Sequence, residues 1–123
     1  MNATGTFDVQ LTPQEDRDAP AGRMLIDKTY DGDAVGAGRG QMLSKRTEAG
    51  TAAYCAVEEF VGALDGREGG FTLVHNGRMS AEAQSLDVLI LEGSGTGELA
   101  GITGSMRILQ DDAGHRYELD YAI

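Results

Sequence analysis

Tyr54, Glu58 and His75 are the residues of this chain whose types and spacing suit acid–base chemistry. Asp65–Gly66 fits a two-residue type I′ turn, and a hairpin built on it pairs Leu64 with Arg67, Phe60 with Phe71, Glu58 with Leu73 and Ala56 with His75. Glu58 and His75 then lie diagonally on one face, roughly 7 Å apart at the backbone. Tyr54 lies further along that face, which also carries Phe60, Phe71 and Leu73 and so reads as an interior. A buried carboxylate beside an imidazole can orient a polar ligand group or shuttle a proton. Burial raises the carboxyl pKa and a charged histidine lowers it. The plainer alternative is a satisfied polar pair that fixes strand register in an interior filled by side chains.

This constellation depends on the segment 52–64 being a strand. Ala53, Ala56, Val57, Phe60, Val61 and Leu64 also fall at helical spacing, and Gly66 would cap a helix as well as turn a hairpin. Periodicity leaves both open.

Other chemical candidates are weaker. Tyr117 and Tyr121 read as interior residues whose hydroxyls face either core or ligand. His115 opens the last strand and reads as a rim residue, and Tyr30 and Arg23 are placed to reach a barrel mouth. Cys55 falls on the face opposite Glu58, which argues against a thiol paired with His75 and for a buried or half-buried inert one. Two histidines forty residues apart give little support for a metal centre, and one cysteine allows neither an internal disulfide nor a zinc cluster. The run Ser94–Gly104, with Gly95, Gly97, Gly101 and Gly104, lacks the Lys-Ser/Thr ending of a phosphate loop and precedes a strand. Gly93-Ser94-Gly95 is no nucleophile elbow. No cofactor is expected.

Composition narrows the function classes further. The chain has 123 residues, enough for one domain with a proper core. A net charge of −10 with scattered Lys and Arg argues against nucleic acid and anionic membranes as partners. No apolar run reaches the ~18 residues of a membrane span, and the first residues lack a basic-then-apolar leader pattern. A cytoplasmic address is expected. Glycine takes 18 positions and proline 2, a balance that favours tight turns over disorder.

The elements that must position these residues read as strands. Thr6–Leu11 alternates, with Phe7, Val9 and Leu11 on one face. Thr12–Gly22 reads as a loop, and Arg23–Asp31 as a strand with Met24, Ile26 and Tyr30 on one face. Val35–Lys45 is a strand whose Gly36, Gly38 and Gly40 suggest bending or close approach. Phe71–Met79, Leu86–Leu91, Ile102–Leu109 and His115–Tyr121 complete the set, the glycine run being a shaped turn into the strand near Ile102. About eight strands joined by short turns favour consecutive antiparallel pairing, and closure removes exposed edges. The first and last strands then meet, with Phe7 and Val9 near Tyr117 and Tyr121. Leu89 and Leu91 oppose Val88 and Ile90, and Val57 and Val61 oppose Glu58. Apolar residues on both faces predict a covered outer surface, either a homodimer interface or a site where the loop 14–21 packs.

With the strands placed, the sequence resembles a bacterial family, domain of unknown function 3224. The resemblance rests on Gly5-Thr6-Phe7, Leu11-Thr12-Pro13, Arg23-Met24, Ile26-Asp27-Lys28, Gly32-Asp33, Tyr54, Ala56–Glu58, Gly62–Arg67, Phe71, Leu73, His75, Ser94–Gly101, Gly104, His115, Tyr117 and Tyr121. The family is similar to the allene oxide cyclase-like barrels. That implies an all-β, closed eight-stranded antiparallel barrel in one domain over residues 1–123, with 52–64 as a strand. It brings no catalytic motif. The function expected is binding of a small, largely apolar molecule inside the barrel, at Tyr54, Glu58, Phe60, Phe71, His75, Tyr117 and Tyr121. The alternatives are an isomerase or cyclase with Glu58 and His75 as acid/base pair, and a structural or interaction protein with a filled barrel.

Overall fold

Alternating side chains and glycine-bearing turns produce a chain of strands without a helix. The computed structural model describes all residues 1–123. Its strands are β1 (Asn2–Gln14), β2 (Gly22–Gly32), β3 (Ala34–Arg46), β4 (Ala52–Leu64), β5 (Arg67–Met79), β6 (Gln84–Ile90), the two-residue β7 (Thr96–Gly97), β8 (Thr103–Asp111) and β9 (Gly114–Ala122). Neighbouring strands from β1 to β6 pair consecutively. β6 then pairs β8, β8 pairs β9, and β9 returns to β1. Every pairing is antiparallel, so eight strands close a barrel. The segment with two readings, 52–64, is a strand. Its register with β5 is the one the type I′ hairpin requires, Glu58↔Leu73 and Ala56↔His75. Asp65 (φ 50°) and Gly66 (φ 81°) both take the positive φ that this turn demands.

One end of the barrel is closed. Leu99 and Ile102 of the glycine run are fully buried and plug it together with Leu64, Phe60, Tyr117 and Tyr121. The run is stitched in place by β7 on Gly69 and Gly70 and by Ser94, whose Oγ accepts from the Thr72 amide at 3.0 Å. Tyr117 ties the same end across the barrel: its hydroxyl accepts from the Ala34 amide at 2.8 Å and donates to the Asp31 carbonyl at 2.9 Å. Tyr117→Phe is expected to cost about 1–3 kcal/mol, because it orphans a buried amide. Denaturant unfolding and faster exchange of the Ala34 amide hydrogen would register it.

The other end is open. β9 pairs β1 only as far as Phe7↔His115, and β6 meets β8 only at Val88↔Met106 and Leu89↔Ser105. The wall is therefore notched above the β8–β9 hairpin. Leu11 and Leu86 share the inward alternation of Phe7 and Val88, yet they are 46% and 39% exposed.

Three expectations need correction. The loop read over Thr12–Gly22 is shorter, because Thr12, Pro13 and Gln14 continue β1 against Leu25, Met24 and Arg23. Pro13 is tolerated there because β1 has no partner on its other side at that height. Phe7 meets His115, with stacked rings 5.1 Å apart, whereas Tyr121 lies at the closed end on Asp65. Cys55 is exposed on the outer face, neither buried nor half-buried.

The outer apolar residues form a continuous row. Val57 pairs Val74 and Val74 pairs Leu89, with Val61 and Leu91 nearby. All five are exposed, so the loop 14–21 does not cover them.

Candidate functional site

The alternation of β2 and β4 sends Lys28, Tyr30 and Glu58 into the barrel, and that of β5 sends His75 to meet them. Glu58 is fully buried, with Lys28 and His75 almost so. Its Oε1 accepts from Lys28 Nζ at 2.9 Å and from His75 Nε2 at 2.9 Å, and its Oε2 from the Tyr30 hydroxyl at 2.5 Å. Lys28 Nζ also lies 4.6 Å from the centre of the Phe7 ring, within cation–π range. Space for the carboxylate comes from β3: a Cβ on Gly38 would collide with Glu58 Oε2 and the Tyr30 ring.

The electrostatics follow from these contacts. Burial by itself raises the Glu58 pKa, but the His75 hydrogen bond, the Lys28 charge and the Tyr30 hydrogen bond outweigh it and hold the group at about 2. Burial, then the Glu58 charge, push the Tyr30 phenol well above its usual value. An ionised carboxylate only accepts, so His75 Nε2 carries the hydrogen toward it. No buried side-chain nitrogen or oxygen lacks a partner, and Nδ1 of His75 takes part in no hydrogen bond, so it opens onto accessible space.

Gly77 lines the mouth. There Met24, Met42, Tyr54, Ala52, Ala53 and Met79 surround a hollow of about 300 Å³. The Tyr54 ring lies over Gly77, where any Cβ would strike it, and burial raises its phenol pKa. A second hollow of about 440 Å³ adjoins the first across Ala52 and Ala53 and extends over the turn 80–83.

The sequence-derived residues therefore divide. Glu58 and His75 meet as expected, and Tyr54 stands above them at the mouth. Phe60, Phe71, Tyr117 and Tyr121 face inward but belong to the packed core cluster of the closed end. His115 is half-buried against Phe7. Arg23 is an outer residue paired with Asp16 at 2.7 Å, and Tyr30 is deep in the interior. Lys28 is not among the sequence-derived candidates, although it falls between Ile26 and Tyr30 in the same alternation and only its charge argues against an inward position; Gly38, read as a bend or close approach, makes the close approach to Glu58 and Tyr30.

This fold has a counterpart of known structure. The crystal structure of a protein of unknown function from the DUF3224 family of Shewanella oneidensis MR-1, at 1.84 Å resolution, superposes with a TM-score of 0.94 at 38% identity, over 100% of this chain and 96% of that one. The family described as "Protein of unknown function (DUF3224)" matches residues 3–121. The chain belongs to the DUF3224 family. Among curated proteins none matches. The DUF3224 match spans β1 to β9, so the cluster and the mouth both lie within the family's extent. No helix of this DUF3224 chain is long and apolar enough to cross a membrane.

Proposed function

We propose that this protein binds a small, largely apolar molecule in the open mouth of its barrel. One observation carries the reading: inward-facing apolar side chains, Leu11, Met79 and Leu86, stay substantially exposed at the open end, beside a hollow lined by Met24, Met42 and Tyr54. Soluble proteins leave such a surface where something docks. Methionine suits it, because an unbranched thioether adapts to varied shapes. The packed closed half supports the filled-barrel alternative there, so the site proposed is the mouth and not the barrel centre. Kinship with the allene oxide cyclase-like barrels and a cytoplasmic address belong to the same proposal.

The test is fluorescence titration with N-phenyl-1-naphthylamine, a neutral apolar dye. Binding is expected in the wild type and at least about tenfold weaker affinity in Met42→Lys, since a charge then meets the apolar body in a partly dehydrated site. Equal affinity in the two would sink the mouth as the site. Native mass spectrometry of gently purified protein would reveal a resident molecule.

The free Nδ1 of His75 favours a second reading, an isomerase or cyclase that acts on the bound molecule. Glu58, already held ionised by three donors, then positions the imidazole, and His75 alone moves the proton.

The partner proposed is a second copy of the chain, meeting along Val57, Val74 and Leu89. Leu89→Lys is expected to convert a dimer to monomer in light scattering after gel filtration; a wild type that is monomeric at high concentration removes this partner.

A further inference from the structure

Charge is distributed unevenly around the mouth. Of the ten Lys and Arg, five have an acidic partner: Arg23, Lys28, Arg39, Arg107 and Arg116. Arg17, Lys45, Arg46, Arg67 and Arg78 have none. Three of these five, Lys45, Arg46 and Arg78, line the two adjoining hollows. In a chain with twice as many acids as bases, cations have ample choice of partner, so three unpaired ones at one opening stand out.

The sheet fixes their spacing. Lys45 and Arg78 flank Ala53 in one register row, on the outer side of the rim, and Arg46 and Met79 flank Ala52 in the next, on its inner side. Two strand spacings separate Lys45 from Arg78, roughly 10 Å at the backbone. Between them stands only an alanine, so the side chains have open space to converge over the rim. The nearby loop acids, Glu48 and Glu82, line neither hollow and pair with none of the three. An anion seated over Ala53 would meet Lys45 and Arg78 with no carboxylate to displace. The apolar mouth begins on the other side of the same rim, at Ala52, Tyr54 and Met79.

We propose that the mouth ligand is an amphipathic acid, its apolar body against Met24, Met42 and Tyr54 and its anionic group on Lys45, Arg46 and Arg78. This rests on the mouth being a binding site and adds the charge of what it binds. The ligand is a free acid and not a bilayer surface, because the net charge of −10 opposes approach to an anionic membrane.

Two dyes with one body test it. 8-Anilino-1-naphthalenesulfonate differs from N-phenyl-1-naphthylamine only by its sulfonate. At low salt the sulfonate is expected to bind about tenfold tighter, a gain that three partly exposed ion pairs can supply together. The difference should shrink at about 0.5 M salt, where screening shortens the reach of each charge. The triple variant Lys45→Gln/Arg46→Gln/Arg78→Gln should abolish the difference between the two dyes, whereas Arg67→Gln, at the closed end, should preserve it. Equal binding of both dyes, or a preference that survives in the triple variant, overturns the acid while the apolar site stands. Binding of neither dye overturns both readings. Co-sedimentation with phosphatidylglycerol vesicles, lost in the triple variant, would overturn the free acid in favour of a membrane surface.

Discussion

Glu58→Ala is expected to destabilise the protein by about 3–5 kcal/mol, the cost of breaking a buried ion pair from one side. The substitution leaves Lys28 charged and unpaired in an apolar interior and deprives Tyr30 and His75 of their acceptor. For a domain whose whole stability lies near 5–15 kcal/mol, that approaches unfolding. Lys28→Met made in the Glu58→Ala background should recover part of the loss, since it removes the unpaired buried charge while Tyr30 and His75 still lack their acceptor. Urea unfolding of the four members of that cycle measures it; a Glu58→Ala cost under about 1 kcal/mol would mean the cluster is not held as described. The same group sets the acid limit. Its folded pKa of about 2 lies below its ordinary 4.5. Between those values the unfolded chain takes up the proton and the folded chain does not. Its contribution is therefore complete above about pH 4.5 and is lost as pH falls toward 2. Melting temperature should drop more steeply over that window in the wild type than in Glu58→Gln.

Gly38→Val should cost about 3 kcal/mol or more, at the upper end of overpacking. The new Cβ would occupy the position of Glu58 Oε2 and press on the Tyr30 ring. A free carboxylate would swing aside, but this one is fixed by three donors, so the collision forfeits hydrogen bonds as well as packing. Gly22→Ala is the control. It lies in the neighbouring strand, where an added Cβ has its nearest contact at 3.7 Å, and its effect should stay within about 0.5 kcal/mol. Thermal unfolding of the two variants separates them; similar losses would show that Gly38 serves the strand and not the carboxylate.

Period-two alternation and one Asp-Gly turn were enough to read the Glu58–His75 juxtaposition, because a two-residue hairpin leaves a single register. Both side chains then had to share a face. The strand identity of 52–64 could not be read from periodicity, since its apolar residues satisfy both helical and strand spacing. Pairing on both sides, with β3 and with β5, decides it, and that is a non-local fact.

Lys28 shows the same division. Its place between Ile26 and Tyr30 already put it on the inward face. Yet a lone lysine inside a barrel is unfavourable until a carboxylate thirty residues away is known to meet it. Tyr117 and Tyr121 alternate inward as read, but alternation gives only a face and not a height along the barrel. The register of β9 on β1 sends them to the packed end, and that of β4 on β3 and β5 leaves Tyr54 at the mouth, beside Ser44 and Gly77. The unpaired cations at the rim are likewise scattered in sequence, at 45, 46 and 78, and become neighbours only through the rows around Ala52 and Ala53. The sequence by itself determined which residues face inward, because the pleat has a period of two wherever a strand forms. Tertiary structure decided which of them are sealed and which remain open, because that depends on where the ring of strands stops pairing.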